Sequence, residues 1–185
     1  MIYIIDHQDS FTHNVVHQFD SFDNVVCDNY NEINENKLNR ANVIVLSPGP
    51  GAPKNYPISS NIYKKFKGKK KIIGICLGFQ QILYCEKGKI IEQNKIYHGY
   101  QSQIKVTSNN SLFKKNSNFK VGRYHSLKLK EPFAAKNFEI TMRCAISNTA
   151  MAIENNKEKI YGFQFHPESF LTENGNLLIK KILSA

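Results

Sequence analysis

Ile72-Ile73-Gly74-Ile75-Cys76-Leu77-Gly78-Phe79-Gln80-Gln81-Ile82-Leu83 reads in two halves. Its first four residues form a short continuous apolar run, the pattern of a strand buried on both faces of a parallel sheet, and from Leu77 the run is helical. The halves meet at Cys76, flanked by Gly74 and Gly78, so the chain turns from strand to helix where side chains have no room. This is G-x-C-x-G, the cysteine counterpart of the nucleophile elbow. A thiol at such a helix N-terminus sits where unpaired N–H groups and the helix dipole favour the thiolate, which is the attacking species.

Working outward toward the N-terminus, the same alternation recurs. Ile2 to Ile5 is a strand; after Asp9, with Ser10 as the expected N-cap, Phe11, Val15, Val16 and Phe19 recur at helical spacing. Val25 to Cys27 and Val43-Ile44-Val45-Leu46 are further strands, the first followed by the polar stretch Asn29 to Asn39 and the second by Ser47-Pro48-Gly49-Pro50-Gly51-Ala52-Pro53, which can only be a loop. Helix-compatible sequence from Ser59 to Phe66 leads back to Ile72. Four apolar runs separated by helical segments indicate βαβ units and a parallel sheet.

Past Gly88 the chain is mostly strand: Gln103 to Thr107, Phe119 to Tyr124, Ile140 to Ile146, Met151 to Glu154 and Tyr161 to Phe165, with turns such as Asn109-Asn110 between them. Glu173 to Leu183 carries an apolar stripe of Leu177, Leu178, Ile182 and Leu183 and is expected to dock on the sheet as a closing helix. The expected fold is α/β: a mostly parallel, twisted central sheet with helices on both faces and an antiparallel extension, in a single domain over residues 1–185. A chain of 185 residues exposes roughly 9,000 Å² when folded against about 31,000 Å² unfolded, enough burial for one core.

Composition removes several classes of function. With 41% apolar residues the chain is too rich for intrinsic disorder, and no run of 18 apolar residues spans a bilayer. Met1 is followed at once by apolar sequence, without a basic leader region, so a cytosolic location is expected and no membrane partner. The net charge of +10 invites nucleic acid. Its make-up argues against that, because only Arg40, Arg123 and Arg143 among the 25 cations carry the guanidinium fork that reads phosphates and bases. Cys27, Cys76, Cys85 and Cys144 contain no C-x-x-C pair, which speaks against a zinc site or a disulfide framework. Cys27, Cys85 and Cys144 read as buried structural thiols.

A nucleophilic cysteine needs a base and a group to orient it. In Gln164-Phe165-His166-Pro167-Glu168 the two residues His166 and Glu168 stand at i and i+2, on the same side of extended chain, with Pro167 stiffening the link. His7, His13 and His17 read as loop and helix-surface residues. Phe79 reads as a packing residue.

Taken together these segments resemble the class I, triad-type glutamine amidotransferases, and within them the small glutaminase subunit of anthranilate synthase and aminodeoxychorismate synthase. The resemblance rests on Asp9-Ser10-Phe11-Thr12, Leu46 to Pro53, Gly74 to Gly78, Tyr97-His98-Gly99, Arg123-Tyr124-His125-Ser126-Leu127 and Gln164 to Glu173, all in family order. It implies Cys76 as nucleophile, His166 as general base and acid, and Glu168 as orienter. It implies that Gly49, Pro50, Gly51, Gln80 and the Ser126-Leu127 backbone bind L-glutamine. Backbone N–H groups of Gly51 and Leu77 would serve as the two donors of an oxyanion hole, each worth about 3 kcal/mol.

The same resemblance implies no cofactor in this chain and, as partner in a heteromer, a chorismate-utilising, Mg-dependent synthase subunit. Small free-standing subunits suit a folate-pathway partner, so aminodeoxychorismate synthase is favoured over anthranilate synthase, with service to both as an alternative. Tyr100, where this subfamily usually has Lys, falls in the segment expected near that partner. The rival readings are a stand-alone cysteine hydrolase acting on γ-glutamyl or peptide substrates and a non-catalytic regulatory subunit. The Ser-Pro-Gly-Pro-Gly and Arg-Tyr-His-Ser segments disfavour the first, and an intact Cys76, His166 and Glu168 the second.

Overall fold

The computed structural model describes all residues from Met1 to Ala185. In chain order the elements are β1 (Ile2–Asp6), α1 (Thr12–Asp20), β2 (Val25–Asn29), α2 (Glu35–Arg40), β3 (Val43–Leu46), a 3-10 turn (Pro53–Asn55) and α3 (Pro57–Phe66). There follow β4 (Lys71–Ile75), α4 (Leu77–Cys85), β5 (Ile90–Glu92), β6 (Tyr100–Val106), β7 (Asn118–Arg123) and β8 (Leu127–Leu129). The chain closes with β9 (Glu139–Cys144), β10 (Ala150–Asn155), β11 (Ile160–Phe163) and α5 (Gly175–Leu183).

Nine strands form one sheet in the order β2-β1-β3-β4-β11-β10-β9-β6-β7. From β2 to β11 neighbours are parallel, and from β11 to β7 they are antiparallel. Because β1, β3, β4 and β11 run in one direction, the residues that follow each of them gather at a single edge of the sheet. Those residues are His7, Ser47, Cys76 and the segment that leads to His166.

Side-chain alternation assigns the helices to faces. Ile2, Ile4, Val43, Val45, Ile73 and Ile75 point to one face and are covered by Val15 and Phe19 of α1 and by Leu178, Ile179 and Ile182 of α5. Tyr3, Ile5, Ile44, Leu46 and Ile72 point to the other, under Leu38 of α2, Ile62, Tyr63 and Phe66 of α3, and Phe79, Ile82 and Leu83 of α4. Each such large side chain contributes about 2 kcal/mol of burial. Phe79 is fully buried and packs toward Gly162 of β11, the packing role expected of it.

Several local expectations are corrected. Ser10 does not cap α1: the Asp9 carboxylate accepts the Phe11 N–H at 2.8 Å, Thr12 Oγ1 donates to Asp6 Oδ1 at 2.7 Å, and the helix begins at Thr12. The polar stretch Asn29 to Asn39 runs into α2, which ends one residue beyond it and whose N-cap Asn34 accepts the Lys37 N–H at 3.0 Å. Pro57 opens α3 two residues before the expected start, at the position where a missing N–H costs nothing. Strand β9 stops at Cys144, so Ile146 lies in a turn and is 94% exposed; β11 stops at Phe163, and α5 begins at Gly175. The two-stranded ribbon β5-β8 was not expected. No helix is long and apolar enough to cross a membrane.

Candidate functional site

Cys76 sits between β4 and α4 with φ 52° and ψ −99°, a conformation that side chains rarely adopt. Its N–H donates to Phe163 O at 2.7 Å, and its carbonyl accepts the Gln80 N–H at 3.1 Å. The glycine frame is a steric necessity. A Cβ at Gly74 would lie 2.5 Å from the Gly78 backbone, and one at Gly78 would lie 2.1 Å from Leu46 O. Strain at the elbow is therefore held by a strand bond on one side and a helix bond on the other.

His166 and Glu168 lie beyond β11. The His166 N–H donates to Gly122 O at 3.0 Å, and Thr172 ties the loop by donating to His166 O at 2.6 Å while accepting the Gly122 N–H at 2.9 Å. His166 Nδ1 and Glu168 Oε1 are 2.6 Å apart, with the two side chains 2% and 0% exposed. A carboxylate accepts, so Nδ1 carries the proton, and Nε2 is left buried without a hydrogen-bond partner. Burial alone would lower the proton affinity of this ring. Glu168 and Cys76, by charge and by hydrogen bonding, outweigh it and raise the His166 pKa well above its ordinary value. The imidazole packs between Phe11 and Tyr124, at ring distances of 5.1 and 4.9 Å.

The loop after β3 brings Gly49, Pro50 and Gly51 to the same edge. Gly51 has φ +73°, a conformation suited to glycine, and its N–H donates to no protein group. The Leu77 N–H, in the first turn of α4, is unpaired for the reason all first-turn donors are. Gln80 faces inward one turn after Cys76, 3% exposed, and its Nε2 donates to Gln164 Oε1 at 3.1 Å. Ser126 is exposed, and half-buried Leu127 opens β8.

Four features lie outside the expectations from sequence. Gln164 is fully buried with Nε2 3.8 Å from Cys76 Sγ. The signal was present, since Gln164 precedes His166 by the same two-residue step that links His166 to Glu168. Arg123 is buried without a carboxylate, its guanidinium 3.4 Å from the Tyr97 ring centre and its Nε donating to His125 Nε2 at 3.0 Å. His125 Nδ1 in turn donates to Leu127 O at 2.8 Å, so this pair holds the Ser126-Leu127 backbone, and burial plus the Arg123 charge push His125 down to about 3. His7 lies in a loop as expected but is fully buried, and burial pushes it down to about 4; His13 and His17 are exposed on α1 as expected.

All four cysteines are free. Cys144 is buried as expected, whereas Cys85 is half-buried and Cys27 reaches the surface. Partial desolvation, with Asp6 and Asp28 nearby, pushes the Cys27 thiol up to about 11 and keeps it protonated at neutral pH. Tyr100 is 50% exposed, and Lys95 Nζ lies 4.9 Å from the centre of its ring.

Residues 3–185 match the family profile of glutamine amidotransferase class-I. Anthranilate synthase component 2 of Lactococcus lactis is 40% identical over 186 residues, covering 100% of this chain and 94% of that one. The same component of Buchnera aphidicola (subsp. Schizaphis graminum) is 37% identical, with 99% and 94% covered. Bifunctional protein TrpGD of Thermotoga maritima is 36% identical over 99% of this chain and 32% of that longer protein. Among solved structures, a putative GMP synthase subunit from Thermoplasma acidophilum superposes with a TM-score of 0.85 over 99% of this chain and 92% of that one. At 18% identity that likeness bears on fold alone.

Proposed function

Because the chain belongs to the class I glutamine amidotransferases, we propose that Cys76 opens the side-chain amide of L-glutamine and that the ammonia released feeds a chorismate-utilising synthase subunit. The observation that carries this reading is the hydrogen bond of 2.6 Å from His166 Nδ1 to Glu168, which leaves Nε2 as the nitrogen available to Cys76, a residue near enough to raise the proton affinity of the ring. Cys76 gives its thiol proton to His166 Nε2, its Sγ attacks the amide carbon, and the carbonyl oxygen becomes an oxyanion facing the N–H groups of Gly51 and Leu77. Collapse of this intermediate expels ammonia, which takes the proton held on His166 Nε2, and leaves a γ-glutamyl thioester. His166 Nε2 then accepts a proton from water as that water attacks the thioester. Glutamate leaves and the thiolate and imidazolium are restored. Proton transfer of this kind contributes on the order of 10²- to 10⁴-fold.

Gln80 and Gln164 lie under Cys76, and the Arg123–His125 pair holds Ser126-Leu127 at the rim. These contacts support a site that grips the substrate from both sides. The relatives named anthranilate synthase component 2 support anthranilate as the final product. Aminodeoxychorismate, favoured from chain size, is the second outcome of the same test.

That test is reconstitution with each candidate synthase subunit, glutamine and chorismate. Glutamine-dependent product is expected with one of them, and Cys76→Ser should abolish it while sparing synthesis from added ammonia. Limited treatment with an electrophilic glutamine analogue should label Cys76 ahead of Cys27, Cys85 and Cys144. Glutamine turnover that persists in Cys76→Ser would remove the reading.

A further inference from the structure

His7, immediately after β1, is fully buried at the edge where the candidate site forms, and none of the steps above uses it. Its Nδ1 lies 3.0 Å from Ser47 O. A carbonyl only accepts, so Nδ1 bears the proton and Nε2 accepts from the Ser59 hydroxyl at 2.9 Å. The His7 backbone N–H donates to Ser47 Oγ at 2.9 Å, and that hydroxyl donates to Pro48 O at 2.7 Å. Tyr56 meets the imidazole edge-on at 4.8 Å and donates its hydroxyl to Pro50 O at 2.9 Å.

The carbonyls of Ser47, Pro48 and Pro50 are therefore all occupied, which fixes the peptide planes that lead into Gly51. Packing adds a second constraint. A Cβ at Gly49 would lie 2.5 Å from His7 Cβ and 2.6 Å from Leu77 Cδ2, so the loop is seated between His7 and the residue that carries the other oxyanion donor.

We propose that His7 is a positioning residue for glutamine hydrolysis, holding the Ser47–Gly51 loop so that the N–H groups of Gly51 and Leu77 converge on one oxyanion. This rests on the oxyanion role proposed above for those two groups. His7 touches neither substrate nor sulfur and acts through the loop. Its loss should therefore weaken a bound oxyanion and leave ground-state glutamine binding nearly unchanged.

The experiment compares His7→Ala and His7→Asn with the parent chain. Asn retains an N–H near the position of Nδ1 for Ser47 O. Three quantities are read: kcat and KM for glutamine, affinity for the γ-aldehyde analogue of glutamine, and the rate of Cys76 alkylation by iodoacetamide. The aldehyde adds to Cys76 and places an oxyanion in the hole, whereas alkylation forms none. His7→Ala is expected to lower kcat and aldehyde affinity together, on the order of 10- to 100-fold. KM should stay within about threefold and the alkylation rate should hold, because both report interactions formed before the oxyanion. His7→Asn is expected to recover most of the loss.

An unchanged kcat, a change in KM alone, or an Asn variant no better than Ala overturns the proposal. If His7→Ala does not fold, Ser59→Ala leaves the ring in place and removes only the donor to Nε2. A several-fold fall in both kcat and aldehyde affinity is then expected, and no fall overturns the proposal. Cys76→Ser separates the two layers: hydrolysis retained there sinks the glutaminase site itself, and hydrolysis lost there beside unaffected His7 variants sinks only the positioning role.

Discussion

The hydrogen bond from His166 Nδ1 to Glu168 Oε1 decides which imidazole nitrogen faces Cys76, and the Glu168 charge is one of two that raise the proton affinity of His166. Replacing Glu168 by Gln separates those effects. The amide oxygen still accepts from Nδ1–H and preserves the tautomer, but the charge is gone, so the His166 pKa falls. In a thiolate–imidazolium pair the alkaline limb of the rate profile reports loss of the His166 proton. Glu168→Gln should therefore move that limb to lower pH and reduce kcat on the order of 10²-fold, less than His166→Ala does. Rates measured across pH for both variants check this, and an alkaline limb that stays in place contradicts it. The pairing of these two residues was legible from their spacing, because i and i+2 share a side in extended chain. The buried state of His7 was not, since a histidine after a strand looks the same in sequence whether it faces water or a loop that returns from forty residues away.

Among the elements, α5 joins the distant ends of the chain. Lys71, at the start of β4, sends Nζ to Ile182 O at 2.8 Å and Leu183 O at 2.7 Å, placing a cation on two carbonyls of the last turn of α5. At the other end of α5 a Cβ on Gly175 would lie 1.9 Å from Pro167 O, the carbonyl between His166 and Glu168, and Gln18 of α1 donates to that same oxygen at 3.0 Å. Lys71→Met keeps most of the buried stem and removes the donors. It should cost about 2 kcal/mol in denaturant unfolding, with kcat unchanged because the Pro167 end of the helix is held separately. A large loss of kcat at unchanged stability contradicts that division. The closing helix was legible from its apolar stripe. With six residues, α2 is too short for a period to show, and β5 and β8 have three each; their existence depends on neighbours distant in sequence.

For the molecule as a whole, three buried histidines set opposing pH dependences. His7 and His125 are depressed to about 4 and about 3 from an unfolded value near 6.5, so the unfolded chain takes up protons that the folded chain refuses. Their contribution is intact above pH 6.5 and is lost as pH falls toward 4. His166 is raised, so its contribution is fully present below pH 6.5 and is lost only as pH rises through its folded value. Between pH 6.5 and 4 the depressed pair controls the slope. The melting temperature should drop across that window, and His7→Asn should flatten the drop by removing a contribution of about 3 kcal/mol at the acid end. An Asn variant as acid-sensitive as the parent chain would contradict it. Neighbouring residues alone specified the class of fold, the elbow around Cys76 and the adjacency of His166 and Glu168, because strand runs, glycine frames and the two-residue period are local properties of the chain. It took the assembled sheet to bring His166 beside Cys76, to set Gln164 3.8 Å from the sulfur, and to bond His7 to Ser47 and Tyr56 to Pro50 in the loop before Gly51. Those contacts join segments that meet because parallel strands bring their carboxyl ends to one edge, and no local pattern encodes which side chains then touch.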